Sequence, residues 1–287
     1  MQFLEFKKLT LDEIDFVRPI YHKYYDGSCD MTIGGTFMWR EFYNSEYAFE
    51  DNTLFFRITE DGKTTYEYPI GPDEDRALKK LGRVDFSFLS KPHMEKIRAL
   101  YPDAEVIEER DYFEYIYYAS SLITLSGKKL SGQRNHVNRF KRLYPNYEFI
   151  EINENNIEKA IEFFSYYDLL ASKKSESAIE DREKTIELLN NFKRYYLLGG
   201  MLLVDGKVVG ASLGEKIGNT LIVHVEKALI EYSGVYPTLT NCFNKRFGTD
   251  VEFINREDDA GDEGLRKNKL SYHPIKLFEK YRVIMKK

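Results

Sequence analysis

The sequence predicts an α+β protein in which one architectural unit occurs twice. Each half of the chain holds an Asp-Gly pair between two runs of apolar and β-branched residues. In the first half Thr53 to Thr59 meets Asp61-Gly62 and continues as Thr64 to Tyr68. In the second, Tyr196 to Val204 meets Asp205-Gly206 and continues from Lys207 through Gly210. Glycine accepts the positive φ that tight hairpin turns require, so such a pair marks two antiparallel strands. Stretches with apolar residues at helical spacing surround both hairpins, in an order that is neither a strict βαβα alternation nor all-β. The two turns lie about half a chain length apart, as a duplicated unit requires.

The first half opens with Thr10 as an N-cap and Glu13 in the capping-box position, followed by Leu11, Ile14, Val17 and Tyr21 on one helical stripe to Tyr25. After the hairpin come a helix (Asp73 to Leu81), a strand (Val84 to Leu89), a helix (Pro92 to Leu100) and strands at Val106 to Glu109 and Tyr112 to Tyr118. The second half starts with a strand (Tyr147 to Glu151), then a helix carrying Ile157, Ala160, Ile161 and Phe164, and another over Ile179 to Phe192. Thr220 to Val225, after Gly218-Asn219, completes a three-strand meander. Pro237 to Phe247 and Asp262 to Leu270 read as helices, Val251 to Ile254 and Leu277 to Ile284 as strands. The join falls within Ser126 to Asn146, giving halves 1–125 and 126–287.

Composition narrows the class. A chain of 287 residues, 43% hydrophobic and 31% charged, is that of a soluble globular protein with one large or two ordinary domains. Forty-two basic against 47 acidic residues leave a net charge of −5, so global charge does not mark a nucleic-acid binder. Cys29 and Cys242 cannot build a disulfide scaffold or a cysteine-only zinc site. The charge-free run Tyr115 to Gly127 is far short of the ~20 residues of a membrane helix, and Met1 to Lys8 lacks the apolar core of a signal peptide. A cytoplasmic protein with reduced thiols is expected.

Common catalytic motifs can be cleared first. There is no Walker loop, no Gly-x-Gly-x-x-Gly and no His-Glu-x-x-His. Gly210-Ala211-Ser212-Leu213-Gly214 matches a nucleophile elbow by letter, but an elbow needs a strand-to-helix turn at the serine. Strand continues on both sides here, so Ser212 reads as an ordinary strand residue. The histidines at 22, 93, 136, 224 and 273 show no metal-ligand spacing, and no metal site is expected.

Three segments do stand out. Ser126 to Asn146 carries Lys128, Lys129, Arg134, Arg139, Lys141 and Arg142 with no acidic residue. As a helix it places Val137, Phe140 and Tyr144 on one stripe and Arg134, Asn138 and Arg142 on the neighbouring one, a like-charged row that a phosphate would relieve. A solvated basic face, or one paired with acids elsewhere, is the alternative. Phe253 to Tyr281 leaves a strand through Asn255-Arg256-Glu257 into a polar helix capped by Asp262, carrying Arg266 and Lys269. That helix has only Leu265 and Leu270 as apolar residues, so it is either a surface element or a wall of a polar cleft. Finally, Glu226 ends the third meander strand, and Ser233-Gly234 precedes a helix whose free N–H groups can hold a phosphate.

Taken together, strand, two helices, meander with Asp-Gly-Lys-Val-Val-Gly, helix, strand, helix, strand resembles the GNAT acyltransferase superfamily. More specifically, Lys128-Lys129 to Tyr147 and Asn255-Arg256-Glu257 through Gly264-Leu265-Arg266-Lys267-x-Lys269-Leu270-Ser271-Tyr272 resemble the phosphatidylglycerol lysyltransferase C-terminal-like group, a tandem GNAT fold related to the Fem-type aminoacyltransferases. The resemblance covers essentially the whole chain. It implies two GNAT-like halves, each a mixed, mainly antiparallel sheet flanked by helices, the C-terminal one holding the donor. Ser233, Gly234, Val235 and Tyr236 fall where the superfamily cradles its donor, although the usual Arg/Gln-x-x-Gly-x-Gly/Ala loop is degenerate here. The implied activity is acyl transfer, with aminoacyl-tRNA as co-substrate ahead of acetyl-CoA and no permanently bound cofactor. A non-catalytic phosphate- or RNA-binding module is the rival reading. On this reading Glu226 is the expected base, Tyr272 the acid, Arg256, Arg266 and Lys269 the donor-binding cations, and Lys128, Lys129, Arg134, Asn138 and Arg142 the contacts to RNA or another phosphate. The best-known members carry a long membrane domain in front of this unit and transfer to a membrane lipid; no such domain is expected here, and the acceptor is left open.

Overall fold

The computed structural model describes residues 4–171 and 177–286. Along the chain run β1 (Lys7–Lys8), α1 (Ile14–Tyr24), α2 (Ile33–Trp39), β2 (Glu46–Glu50), β3 (Thr53–Glu60), β4 (Lys63–Tyr66), α3 (Glu74–Leu81), β5 (Phe86–Ser90), α4 (Lys91–Leu100) and β6 (Glu105–Glu108). They are followed by β7 (Glu114–Tyr118), α5 (Ala119–Thr124), α6 (Ser131–Leu143), β8 (Tyr147–Glu151), α7 (Ile157–Ala171), α8 (Ser177–Asn190) and α9 (Phe192–Tyr195). The last stretch holds β9 (Leu198–Val204), β10 (Lys207–Ile217), β11 (Thr220–Ala228), α10 (Val235–Phe247), β12 (Phe253–Asn255), α11 (Glu263–Leu270), β13 (Lys276–Phe278) and β14 (Lys280–Ile284). The expected α+β class, two halves each with a mixed, mainly antiparallel sheet flanked by helices, is the one present.

Local chemistry sets many of these boundaries. Thr10 and Glu13 form the reciprocal capping box, with the Thr10 N–H donating to Glu13 Oε2 at 2.8 Å. Asp61-Gly62 and Asp205-Gly206 both take positive φ at the two turn positions, the geometry that matches the twist of the flanking strands. The short helices α2, α5 and α9 escape the periodicity. In α2 glycine is required at position 35, where a Cβ would lie 2.2 Å from the Cys29 carbonyl oxygen.

The chain divides into two compact units, though not at residue 125. Unit 1 comprises 1–114, 258–261 and 278–287; unit 2 comprises 115–257 and 262–277. Strand pairing explains the correction. The first sheet has the order β1-β2-β3-β4-β5-β14-β6 and the second β13-β7-β12-β11-β10-β9-β8. Each therefore contains a meander, one parallel neighbour (β4 with β5, β11 with β12) and then an antiparallel strand taken from the other half of the sequence. β7 fills that place in the second sheet and β14 in the first. For the same reason Leu277 to Ile284 is two strands in two sheets rather than one. In unit 1, Leu78, Phe86, Leu89, Ile97 and Val283 form a buried cluster. In unit 2, α10 packs Leu239 against Phe140, Leu202 and Val209, and Phe243 against Leu122, Leu221 and Ile254. Each such buried side chain contributes on the order of 1.5–3 kcal/mol.

Candidate functional site in the second unit

β11 and β12 run parallel and pair only from Thr220 with Phe253 to Ile222 with Asn255. Beyond that point two side-chain bridges connect β11 to the segment following β12. The first is Arg256, 7% exposed, whose Nη2 donates to Glu226 Oε1 at 3.0 Å. The same carboxylate oxygen accepts from Thr240 Oγ1 on α10 at 2.8 Å. The second is His224, the residue that a β-bulge between Leu213 and Gly214 leaves without a cross-strand partner. Its Nδ1 and Nε2 meet Glu257 Oε1 at 2.6 Å and Glu215 Oε1 at 2.9 Å. Burial alone would lower the His224 pKa, but the two carboxylates overcome it and push the imidazole up to about 10, so it is a paired imidazolium at neutral pH.

The Arg256 environment is aromatic as well as ionic. Its guanidinium lies 4.8 Å from the centroid of the Tyr272 ring, and Tyr117 meets Tyr272 edge to face at 6.5 Å. Burial pushes the Tyr272 phenol up to about 12 despite the opposing pull of Arg256, so the phenol keeps its proton. For Arg256, burial acts downward, and the surrounding groups, the Glu226 carboxylate foremost among them, together more than offset it. One guanidinium nitrogen, Arg256 Nη1, is buried without a hydrogen-bond partner. Ser212 Oγ is in the same condition, on a wholly buried residue of β10 directly across the ladder from Glu226. Opposed residues of an antiparallel pair share a sheet face.

Several expected site residues come together here and others do not. Glu226, Arg256 and Tyr272 form one cluster, but Glu226 is the counter-ion of Arg256, with two donors on one oxygen, rather than a lone carboxylate. Lys269 departs from its expected place. It is 7% exposed, and its Nζ donates to the Arg256 carbonyl while its own carbonyl accepts from the Tyr117 hydroxyl at 2.7 Å. Its charge thus braces the Arg256 loop from inside. Arg266, on the same helix, is half-buried, while Leu265 and Leu270 are exposed at 40% and 43%. α11 therefore buries Lys269 and shows Lys267 and its leucines to solvent.

The glycine loop is also committed differently from expectation. Gly234 has φ +85°, and a Cβ on it would stand 2.5 Å from the His136 carbonyl, so glycine is needed for α10 to approach α6. The Ser233 N–H donates to the Tyr144 hydroxyl at 3.2 Å and the Val235 N–H to the Tyr232 carbonyl at 3.0 Å. Val235 is core, Tyr236 shares a hydrogen bond with Tyr167 at 3.1 Å, and Pro237 lies in the third helical position rather than the first. On α6, Val137 and Phe140 are buried as the stripe predicts. Arg134 is turned back: its Nη1 donates to the carbonyls of Leu125 and Gly127, tying the left-handed turn that ends α5. Lys128, Lys129, Asn138, Arg139 and Arg142 stay exposed, and none of these cations pairs with an acid among the described residues.

Comparison with known proteins places this geometry. Residues 22–284 match the family described as phosphatidylglycerol lysyltransferase, C-terminal. The chain belongs to that family. Among solved structures, this family member is similar to a conserved protein of unknown function from Bacteroides thetaiotaomicron, at 32% identity over 99% of this chain and 100% of that one, with a TM-score of 0.92. L-PGS from Bacillus licheniformis shares the fold at 14% identity, covering 94% and 91% of the two chains, with a TM-score of 0.64. An uncharacterized protein of Mycoplasmoides gallisepticum is 23% identical over 247 residues, 85% of this chain and 78% of its own length. No described helix is long and apolar enough to cross a membrane.

Proposed function

We propose that this protein is an acyltransferase that moves an aminoacyl group from aminoacyl-tRNA to an amine or hydroxyl acceptor. The observation that carries the reading is Arg256 Nη1, a buried, charged N–H donor with no partner, held rigidly beside a phenol that keeps its proton. Leaving such a donor unsatisfied costs stability, about 1–3 kcal/mol for a neutral group and more for a charged one, so a fold that retains one has a use for it. The family name, a lysyltransferase, supports the class of reaction.

In this reading the acceptor attacks the ester carbonyl carbon, and the new C–N or C–O bond forms as the carbonyl oxygen takes up negative charge. Arg256 Nη1 donates to that oxyanion, and Glu226 and Lys269 fix the guanidinium and its loop. The ester C–O bond then breaks, Tyr272 protonates the departing ribose oxygen, and the acceptor's proton restores the phenol. The exposed cations Lys128, Lys129 and Arg142 contact tRNA phosphates.

Two measurements test this. In a transfer assay with bulk charged tRNA and amine acceptors, Arg256→Lys and Tyr272→Phe should each reduce the rate at least about 100-fold, the scale of losing one oxyanion donor. Both variants should keep wild-type tRNA affinity. In filter binding, the Lys128→Ala/Lys129→Ala/Arg142→Ala triple variant should flatten the dependence of log affinity on log salt by about 2, at roughly 0.7 per phosphate contact. Transfer at the wild-type rate in Arg256→Lys, or an unchanged salt slope in the triple variant, removes the corresponding part of the reading.

A further inference from the structure

Two stretches of the sequence hold no Asp or Glu, Tyr115 to Tyr147 and Gly264 to Phe278, so the rest of this acidic chain carries all 47 acidic residues. The first contributes six Lys and Arg residues and the second four. The transfer reading draws on several of these cations, but it gives no role to the surface that the second stretch shows to solvent.

Folding within unit 2 sets the two stretches side by side. The Gln133 amide nitrogen donates to Ser271 Oγ at 2.8 Å, across 138 positions of sequence, and His273 Nε2 donates to the Lys129 carbonyl at 3.2 Å. The turn after α11 is fixed as well. His273 takes a φ of +54°, and its N–H closes on the Leu270 carbonyl at 2.9 Å. Two residues on, the Ile275 N–H donates to the Ile116 carbonyl of β7 at 2.8 Å. Positive charge is thus gathered on one part of unit 2, and the backbone that carries it is held in place.

What distinguishes this surface is its apolar content. Leu265, Leu270 and Ile275 are exposed at 40%, 43% and 40%, and Lys267, His273 and Lys276 are exposed among them. Exposed leucines scattered singly are ordinary. Here three large apolar side chains fall on one helix and the turn that follows it, in a segment without an acid.

The apolar side chains decide between occupants. RNA would meet the lysines but leave the leucines and the isoleucine in water. A second copy of the same face would set lysine against lysine. An anionic bilayer answers both, because its headgroups receive the ammonium groups while the boundary with the acyl chains receives the apolar side chains. Lysine suits that depth, since its stem lies along apolar surface and its charge stays at the polar level.

We infer that the α11–β13 face of unit 2 docks on the surface of an anionic lipid bilayer, with Leu265, Leu270 and Ile275 entering the headgroup boundary and Lys267 and Lys276 meeting the lipid headgroups. The docking goes beyond the transfer reading and does not depend on it.

Co-sedimentation of the full chain tests this, with vesicles of phosphatidylcholine alone and of equal parts phosphatidylcholine and phosphatidylserine. The protein should pellet with the anionic vesicles and not with the zwitterionic ones, and added salt should weaken the binding. Leu270→Asp/Ile275→Asp and Lys267→Glu/Lys276→Glu should each lower the affinity at least about tenfold. Leu270→Ser/Ile275→Ser carries the same comparison if the aspartate pair fails to give a native circular dichroism spectrum. Affinity that falls in the lysine variant but not in the apolar ones marks a general polyanion surface, RNA included, and overturns the bilayer. Equal binding to both kinds of vesicle, no binding to either, or unchanged affinity in the folded variants overturns it too.

Discussion

In unit 1 Lys280 is a buried cation on the strand that the C-terminal half of the sequence supplies to the first sheet. In unit 2 its counterpart for comparison is Arg256, just past the parallel strand beside which the other exchanged strand lies. Lys280 is 1% exposed, and its three ammonium hydrogens have three receivers in Ser28, Asp30 and Glu114. Arg256 is nearly as buried, yet its guanidinium bonds through Nη2 to Glu226 and leaves Nη1 with nothing. A saturated cation holds structure together, and Arg256 leaves one donor over. Two sheets of matching order thus differ in how fully a buried cation is satisfied.

The largest expected effect tests the saturated side of this contrast. Lys280→Met leaves Glu114, which is fully buried, without its cation, and breaking a buried pair by removing one partner costs about 3–5 kcal/mol. Urea denaturation should show that loss as a lower midpoint with an unchanged slope, and Lys280→Met/Glu114→Gln should recover part of it. A loss under about 1 kcal/mol would mean that Lys280 is not the keystone of unit 1, and the contrast with Arg256 would collapse.

How much of this was legible beforehand divides along the range of the interactions. The Asp-Gly turns, the Thr10–Glu13 capping box, the Val137–Phe140 stripe and the Asp262 cap are each set within a few residues, and they read correctly. The exchange of β7 and β14 did not, because an amphipathic run such as Leu277 to Ile284 carries no mark of which sheet it joins. The Lys280 cluster draws on positions 28, 30, 114 and 280, so no spacing could reveal it. In the candidate site, Glu226, Arg256 and Tyr272 stand far apart in the sequence, and the fold brings them together. Lys269 lies inside although a polar helix with two leucines gives no reason to expect it there. The partners of His224 lie nine and 33 residues away and were missed for the same reason as those of Lys280.

A middle-sized effect probes the second bridge across the parted strands. The folded-state pKa of His224 is raised from 6.5 to about 10, so its pairing stabilises the fold fully below pH ~6.5. The contribution shrinks as pH rises from there and is gone above about 10, once the imidazolium deprotonates in the native state. The slope is at most about 1.4 kcal/mol per pH unit for one proton. Denaturation of wild type and His224→Gln across this range should give a stability difference that is greatest at pH 6 and vanishes near pH 10. A difference independent of pH would show that His224 acts there through packing alone.

The smallest effect on stability is expected at Ser212, and it sharpens the account of Arg256. The Ser212 hydroxyl is wholly buried, lies across the ladder from Glu226 and has no hydrogen-bond partner. Deleting a buried polar group that makes no bond removes a desolvation penalty, so Ser212→Ala should leave stability within about 0.5 kcal/mol of wild type or raise it slightly. A loss above about 1 kcal/mol would show that the hydroxyl is satisfied in the folded protein, and Ser212 would join Lys280 on the saturated side. If stability holds and the rate of aminoacyl transfer falls, the hydroxyl has its partner in the bound donor. The unsatisfied groups on the Glu226 side of the sheet, Ser212 Oγ and Arg256 Nη1, would then be two parts of one recognition point.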